Sequence, residues 1–213
     1  MPDFAQYMKE LSILAVPLLL ALTFHEAAHG YVAWRLGDPT ARQMGRLTLN
    51  PLKHLDLLGT LAFLVTRMVG WAKPVPVDSR YFKNPQRGML LVALAGPCAN
   101  MLLAVACAAV FHLLAGVEVR DPNSLLVDIL VPLAVMAEAG VIVNVALAAF
   151  NLLPVPPLDG SNILAGFLPP RLAYRYLSLS RYGFIVLIVL AVAGVLGRIM
   201  LPVIEAGSSL LLQ

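Results

Sequence analysis

Two histidines and a glutamate lie close together in an otherwise apolar run, LALTFHEAAHGYVAW. His25, Glu26 and His29 form the pattern H-E-x-x-H. Residues four apart share one face of a helix, so both imidazoles can reach one zinc ion, with the glutamate beside them as a general base. Because ionisable groups are costly inside an apolar span, packing alone is a poor explanation. The pattern predicts a metal site that activates water for hydrolysis.

The composition indicates an integral membrane protein. Of the 213 residues, 60% are hydrophobic and 13% are charged, and the mean hydropathy is +0.82. Soluble domains are about 45–50% apolar and about 25% charged. The net charge of +3 is small and lies in loops, which argues for membrane topology rather than nucleic-acid binding.

Five apolar stretches predict an all-α membrane protein with a single domain over residues 1–213. A transmembrane helix needs about 20 residues, so four stretches can span the bilayer, whereas Leu57–Trp71 is short. The four predicted spans are Leu11–Trp34, Met89–Val119, Leu125–Leu153 and Tyr182–Ile204. We expect the first three to belong to a core over 11–165, and the fourth to form an extra C-terminal helix over 182–204.

The loop charges predict the orientation of the spans. Segments 35–55 and 71–87 each carry four cations against one aspartate, whereas 117–128 carries one arginine against three carboxylates. Cytoplasmic loops are enriched in Lys and Arg, so 35–55, 71–87 and 154–182 are expected inside and 117–128 outside. Both flanks of Leu57–Trp71 are then cytoplasmic. That stretch is predicted to enter the membrane and return, although a full crossing remains an alternative.

Two short strands are expected beside this re-entrant stretch. GRLTLNP (45–51) alternates apolar and polar residues, and WAKPVPV (71–77) is extended because each proline disfavours helix in the residue before it. Together they predict a small membrane-associated β element at the cytoplasmic face. The prolines would confine the second strand to an edge.

A catalytic zinc ion takes three protein ligands and keeps one position open, so a third side chain must approach the histidines. Asp159 in NLLPVPPLDGS is the best candidate, since Pro154, Pro156 and Pro157 interrupt the helix there and Gly160 lets the backbone bend. Non-helical backbone at membrane depth survives only where it lines a cavity. In the predicted orientation, Asp159 and the histidines meet in the cytoplasmic half of the membrane.

Five motifs in order resemble the site-2 protease family of intramembrane zinc metalloproteases, in its compact prokaryotic branch. They are FHEAAHG, GRLTLNPLKHLDLLGT, GWAKPVPV, ALAGPCANMLLA and NLLPVPPLDG, and they cover roughly residues 20–165. The resemblance implies a three-helix core, one zinc ion on His25, His29 and Asp159, and a catalytic Glu26. The sequence resembles the branch without a PDZ domain, since family members that have one carry it as an insertion and no loop here is long enough to hold it.

The resemblance also implies regulated intramembrane proteolysis, in which a transmembrane segment of a membrane-protein substrate is cut near the cytoplasmic face of a prokaryotic cell membrane. Glu26 is expected to take a proton from the attacking water and to pass it to the leaving amine. An extended substrate is expected to pair along Pro74 and Val75. Asn151 is expected to help hold it.

Other polar residues leave alternatives open. Asn100 is expected to bond either a reaction oxyanion or a neighbouring helix, and the second role is favoured. A zinc transporter or metal-sensing membrane protein would need a polar path that continues to the outer face. Only His112 and Glu138 suggest such a path. A catalytically inactive scaffold that binds helices would have no use for Glu26 as a base.

Overall fold

A computed structural model describes residues 4–66, 72–117 and 125–213 of the chain, with side chains left out for 4–10, 12 and 62–66. Within these ranges the backbone is mainly helical. The helices are α1 (Phe4–Arg35), α2 (Thr40–Gln43), α3 (Leu57–Thr66), α4 (Pro85–Ala115), α5 (Leu125–Asn151), α6 (Asp159–Phe167), α7 (Pro170–Leu177), α8 (Ser180–Val192) and α9 (Val195–Leu212). Single 3₁₀ turns cover Pro51–Lys53 and Ser79–Tyr81.

Four of the described helices are long and apolar enough to cross a membrane, namely Ile13–Arg35, Pro85–Ala115, Leu125–Asn151 and Val195–Leu212. The predicted integral membrane protein is therefore confirmed. Helices α7 and α8 could together form one further span, bent by 61°. The predicted outer loop, 117–128, lies mostly outside the described residues.

Helices α1, α4 and α5 form the core that positions the site. Ala21 and His25 of α1 contact Asn100 of α4, and His29 contacts Val92, so α1 and α4 run antiparallel. Small residues let α4 and α5 approach closely, as is usual between membrane helices. Ala104, Ala108, Val141 and Val145 form a buried cluster there. A Cβ added to Gly140 would lie 2.7 Å from Cys107 Sγ.

The predicted β element does not form among the described residues. They show no sheet, and only an isolated antiparallel bridge joins Leu55 to Ala72. Residues 73–78 form neither helix nor strand, and Asp78 has extended dihedral angles. The prolines at 74 and 76 disfavour helix in the residues before them, so the segment stays extended, and they also remove two backbone donors. Residues 45–50 form turns instead of a strand, and residue 71 lies outside the described residues. Side chains of Arg46, Glu26 and Asp38 bond the backbone of the extended segment, where a partner strand was expected.

Two residues that flank the short apolar stretch 57–71, His54 and Lys73, lie next to each other. The N–H of Lys73 donates to the carbonyl oxygen of His54 at 2.8 Å. Between these two residues, α3 covers Leu57–Thr66, and residues 67–71 lie outside the described residues. A helix that crossed the whole hydrocarbon core would separate its ends by about 30 Å.

The expected single helix over 182–204 is replaced by two helices. α8 ends at Val192, and Gly194 has φ +71°, a left-handed conformation that ends a helix and suits glycine. α9 then continues to Leu212 and packs against α5 and α4. A Cβ on Gly207 would lie 2.8 Å from Val145 Cγ1, and His112 Nε2 lies 2.9 Å from the Leu211 carbonyl oxygen. These contacts place the C-terminal end of α9 beside that of α4.

Candidate metal centre

Three predicted side chains converge between α1 and the first residue of α6. The Nε2 atoms of His25 and His29 lie 3.0 Å apart, and each lies 3.2 Å from Asp159 Oδ2. Both histidines are buried, and the aspartate side chain is 17% exposed. It is the one cluster of three potential metal-ligating groups in the described part of the chain.

The second nitrogen of each imidazole fixes its tautomer. His25 Nδ1 lies 2.6 Å from Asn100 Oδ1, and His29 Nδ1 lies 2.7 Å from the Val92 carbonyl oxygen. Both partners accept hydrogen bonds, because the Asn100 amide nitrogen donates elsewhere, to Ala21 and Asn144. Each Nδ1 therefore carries the proton, and each Nε2 presents a lone pair to the site.

The arrangement fits a zinc ion. Two imidazole lone pairs face the buried Asp159 Oδ2, which makes no hydrogen bond with the described residues. Three such lone pairs repel one another unless a cation lies among them. A tetrahedral zinc ion with bonds of about 2.05 Å holds its ligand atoms about 3.3 Å apart. The observed separations of 3.0 and 3.2 Å are close to that spacing.

A glycine of α4 makes room for the two imidazoles. A Cβ added to Gly96 would lie 2.5 Å from His25 Cε1 and 2.5 Å from His29 Nε2. The apolar run around AGPCAN gave no sign of this close approach. One further residue that the sequence did not reveal is Val92, whose carbonyl oxygen bonds His29. Asn144, a polar side chain in an apolar helix, bonds Asn100 across the α4–α5 contact.

The loop before α6 places Asp159 at the site. The carbonyl oxygen of Pro154 accepts a 2.6 Å hydrogen bond from the Tyr176 hydroxyl. Ser161 Oγ donates to the Leu158 carbonyl oxygen at 2.6 Å and stabilises the first turn of α6. At the other end of α6, Gln86 Nε2 donates to two carbonyl oxygens at 2.6 Å. Both ends of the helix that begins with Asp159 are therefore anchored to neighbouring elements.

Glu26 and the extended segment meet beside the cluster. The half-buried Glu26 accepts a hydrogen bond on Oε2 from the N–H of Val75 at 2.7 Å. The Val75 side chain is 8% exposed and packs on Gly30 of α1, where a Cβ would lie 3.1 Å from Val75 Cγ1. Pro74 is exposed. The structure therefore brings Val75, one of the predicted substrate-binding residues, to the predicted base.

The remaining predicted residues lie in different surroundings. Asn100 is fully buried and its polar atoms bond His25, Ala21 and Asn144, so it faces the protein and not an open cleft. Asn151 is half-buried at the end of α5, where its amide donates to the Leu147 carbonyl oxygen. His54 is 1% exposed and bonds the Thr48 carbonyl oxygen at 2.8 Å.

Comparison with known proteins agrees with this geometry. The sequence model of peptidase family M50 matches residues 13–139, a range that includes His25, Glu26 and His29 and ends before Asp159. No solved structure matches the chain significantly.

Two curated relatives carry the same kind of name. The chain is 40% identical to "Putative zinc metalloprotease YwhC" of Bacillus subtilis (strain 168), over 205 residues that make up 94% of this chain and 89% of that protein. It is 32% identical to "Putative zinc metalloprotease Rip2" of Mycolicibacterium smegmatis over 185 residues, 84% of this chain and 66% of that protein.

The apolar helices and the H-E-x-x-H cluster define a membrane-embedded zinc metalloprotease. The chain belongs to peptidase family M50, the site-2 protease family. The resemblance stated from the sequence motifs is thereby confirmed.

Proposed function

We propose that this protein is an intramembrane endopeptidase that cuts a transmembrane segment of a membrane-protein substrate near the cytoplasmic face. The observation that carries the proposal is the convergence of two imidazole lone pairs and a buried carboxylate oxygen within 3.2 Å, next to Glu26. The two histidines and Glu26 lie on an apolar helix, α1, so the reaction would take place at membrane depth.

One zinc ion would be held by His25, His29 and Asp159. When bound, it would supply a Lewis acid that polarises the scissile carbonyl and lowers the pKa of water. Asn100 and the Val92 carbonyl oxygen hold the protons of the two imidazoles at Nδ1, away from the ion. This is the usual second layer around a zinc site, and it fixes the orientation of the rings.

Glu26 would move the proton that peptide hydrolysis requires. The water oxygen bonds to the carbonyl carbon, and a carboxylate oxygen of Glu26 takes one of the water protons. The carbon–nitrogen bond then breaks, and Glu26 passes that proton to the departing amine nitrogen. The N–H of Val75 donates to Oε2 at 2.7 Å and so orients the carboxylate for both transfers.

The substrate would lie beside residues 72–77. This segment is extended and runs next to the base, so an unwound stretch of substrate backbone near Glu26 also lies near Val75. Peptide recognition by extended backbone commonly uses such pairing. Asn151, at the end of α5, is proposed to help hold the substrate, as the family resemblance implies.

The orientation follows from the loop charges. Segments 35–55, 71–87 and 154–182 are proposed to lie in the cytoplasm because each carries more cations than carboxylates. The stretch 57–71 would then be re-entrant, which agrees with the hydrogen bond between Lys73 and His54, the residues that flank it. The membrane would be the cell membrane of a prokaryote.

The test is cleavage of a transmembrane reporter by purified protein in liposomes. Wild type is expected to release a shortened product whose ends map within or beside the reporter helix. The cleavage rate of Glu26→Gln is expected to be at least about 100-fold lower, which is the lower end of the usual contribution of a general base. Equal cleavage by the two proteins would overturn the proposal. Zinc movement across the liposome membrane without cleavage would favour a transporter, and helix capture without cleavage would favour a scaffold.

A further inference from the structure

The extended segment 72–78 is held by charged side chains instead of by a neighbouring strand. Three side chains from outside the segment bond its backbone at the beginning, the middle and the end. Arg46 Nη2 donates to the Lys73 carbonyl oxygen at 2.6 Å, Glu26 accepts from Val75 at 2.7 Å, and Asp38 Oδ2 accepts from the N–H of Asp78 at 2.7 Å.

Arg46 is an unusual residue to bury. It is 7% exposed, and it makes no salt bridge among the described residues. Its Nη2 also lies 3.4 Å from the Pro74 carbonyl oxygen. Its Nε is buried and has no hydrogen-bond partner among the described residues. Burial of an unpaired charge is unfavourable, so a purely structural role would be better served by an apolar side chain of similar size.

The local backbone directs Arg46 towards the segment. Gly45, which follows α2, has φ +64°, and the N–H of Arg46 donates to the Ala41 carbonyl oxygen at 2.8 Å. This is the pattern that ends a helix and turns the chain at a left-handed glycine. The side chain that follows the turn lies beside Lys73.

Asp38 holds the other end in the same way. It is fully buried, and its Oδ1 accepts from the backbone and the hydroxyl of Thr40, at 2.9 and 2.5 Å. Its Oδ2 is thereby left for the N–H of Asp78. The carboxylate is satisfied by hydrogen bonds alone, with no cation bonded to it in the described part of the chain.

We propose that Arg46 and Asp38 are positioning residues that set the register of the 72–78 segment against Glu26. A shift of this segment moves the Val75 N–H that orients the base, together with the backbone beside which the substrate lies. Small displacements of catalytic groups lower the reaction rate strongly, and a misplacement of about 1 Å can lower it about 100-fold. The proposal rests on the proposed function of Glu26 and the zinc site.

The experiment compares Arg46→Met, Arg46→Lys and Asp38→Asn with wild type in three measurements: zinc content, cleavage of the transmembrane reporter, and deuterium uptake of peptides covering 72–78. Arg42→Met is the matched control, because Arg42 is exposed and lies 5.3 Å above the ring of Trp34. Arg46→Lys keeps one donor for the Lys73 carbonyl oxygen.

We expect Arg46→Met to keep its zinc and to take up deuterium faster at 72–78. Its kcat/KM should fall at least about tenfold, which is less than the roughly 100-fold loss that a misplacement of about 1 Å can cause. Arg46→Lys should recover most of that activity, Asp38→Asn should show faster exchange near Asp78, and Arg42→Met should match wild type. Unchanged exchange in Arg46→Met, or faster exchange with unchanged kcat/KM, overturns the proposal. If Arg46→Met does not fold, Asp38→Asn decides: zinc retained with faster exchange and lower kcat/KM supports the proposal, and unchanged exchange or unchanged kcat/KM overturns it. Absence of cleavage by zinc-loaded wild type would instead refute the proposed function, while the exchange measurement still tests the register.

Discussion

Replacing Asn100 by leucine tests whether the buried amide controls metal affinity. Leucine has the same number of side-chain heavy atoms and the same branching, but it removes the acceptor that lies 2.6 Å from His25 Nδ1. The metal-bound tautomer of His25 then keeps a buried N–H without a partner, which costs about 1–3 kcal/mol. In the metal-free protein the proton can move to Nε2 and face Asp159, so the penalty falls mainly on the bound state.

The expected result is a zinc dissociation constant raised by about 10-fold to 100-fold, the range usual for the second layer of a metal site. The assay is competition with a fluorescent zinc chelator in detergent, with thermal unfolding in excess zinc to verify the fold. Asn144→Leu is the control, because Asn100 keeps its contacts with His25 and Ala21. A folded Asn100→Leu protein with the affinity of wild type would refute the reasoning.

Three glycines give further predictions. Gly96→Ala places a methyl group 2.5 Å from both imidazoles, so zinc content should fall well below that of wild type, and full retention of zinc would contradict the geometry. Gly183→Ala would overlap the Pro156 carbonyl group in the loop before Asp159, and should cost about 1–3 kcal/mol of stability in thermal unfolding. Gly197→Ala meets no atom within 4 Å and should be neutral or stabilising by up to about 1 kcal/mol; equal effects at 183 and 197 would argue against the tight contact.

The long helices of the core were predictable because apolar length and helix spacing are local properties. Three spans agree with α1, α4 and α5 within a few residues, apart from the additional N-terminal turns of α1 and α4. The convergence of Asp159 on the histidines was expected from charge bias and prolines, since few carboxylates can approach a membrane site. Whether these residues bind zinc stays a prediction.

The extended segment and the C-terminal region could not be predicted in the same way. Alternation in GRLTLNP suggested a strand, but buried Arg46 and Asp38 bond the backbone of the 72–78 segment, and no sequence period reveals such contacts. In the C-terminal region, Gly194 ends α8 although the apolar pattern continues past it. Asn100 donates to Ala21 of α1 and to Asn144 of α5, in line with the favoured expectation of a bond to a neighbouring helix. Its bond to His25 depends on the packing of α1 against α4, which the sequence pattern does not reveal.

The metal content of detergent-purified protein tests the proposed site most directly, with wild type measured beside Asp159→Ala and Glu26→Gln. We predict about one zinc ion per chain in wild type and in Glu26→Gln, because the latter keeps all three ligand atoms, and much less in Asp159→Ala, which loses Oδ2. Equal zinc in all three proteins, or no zinc in wild type purified without chelator, would contradict a zinc centre built from His25, His29 and Asp159.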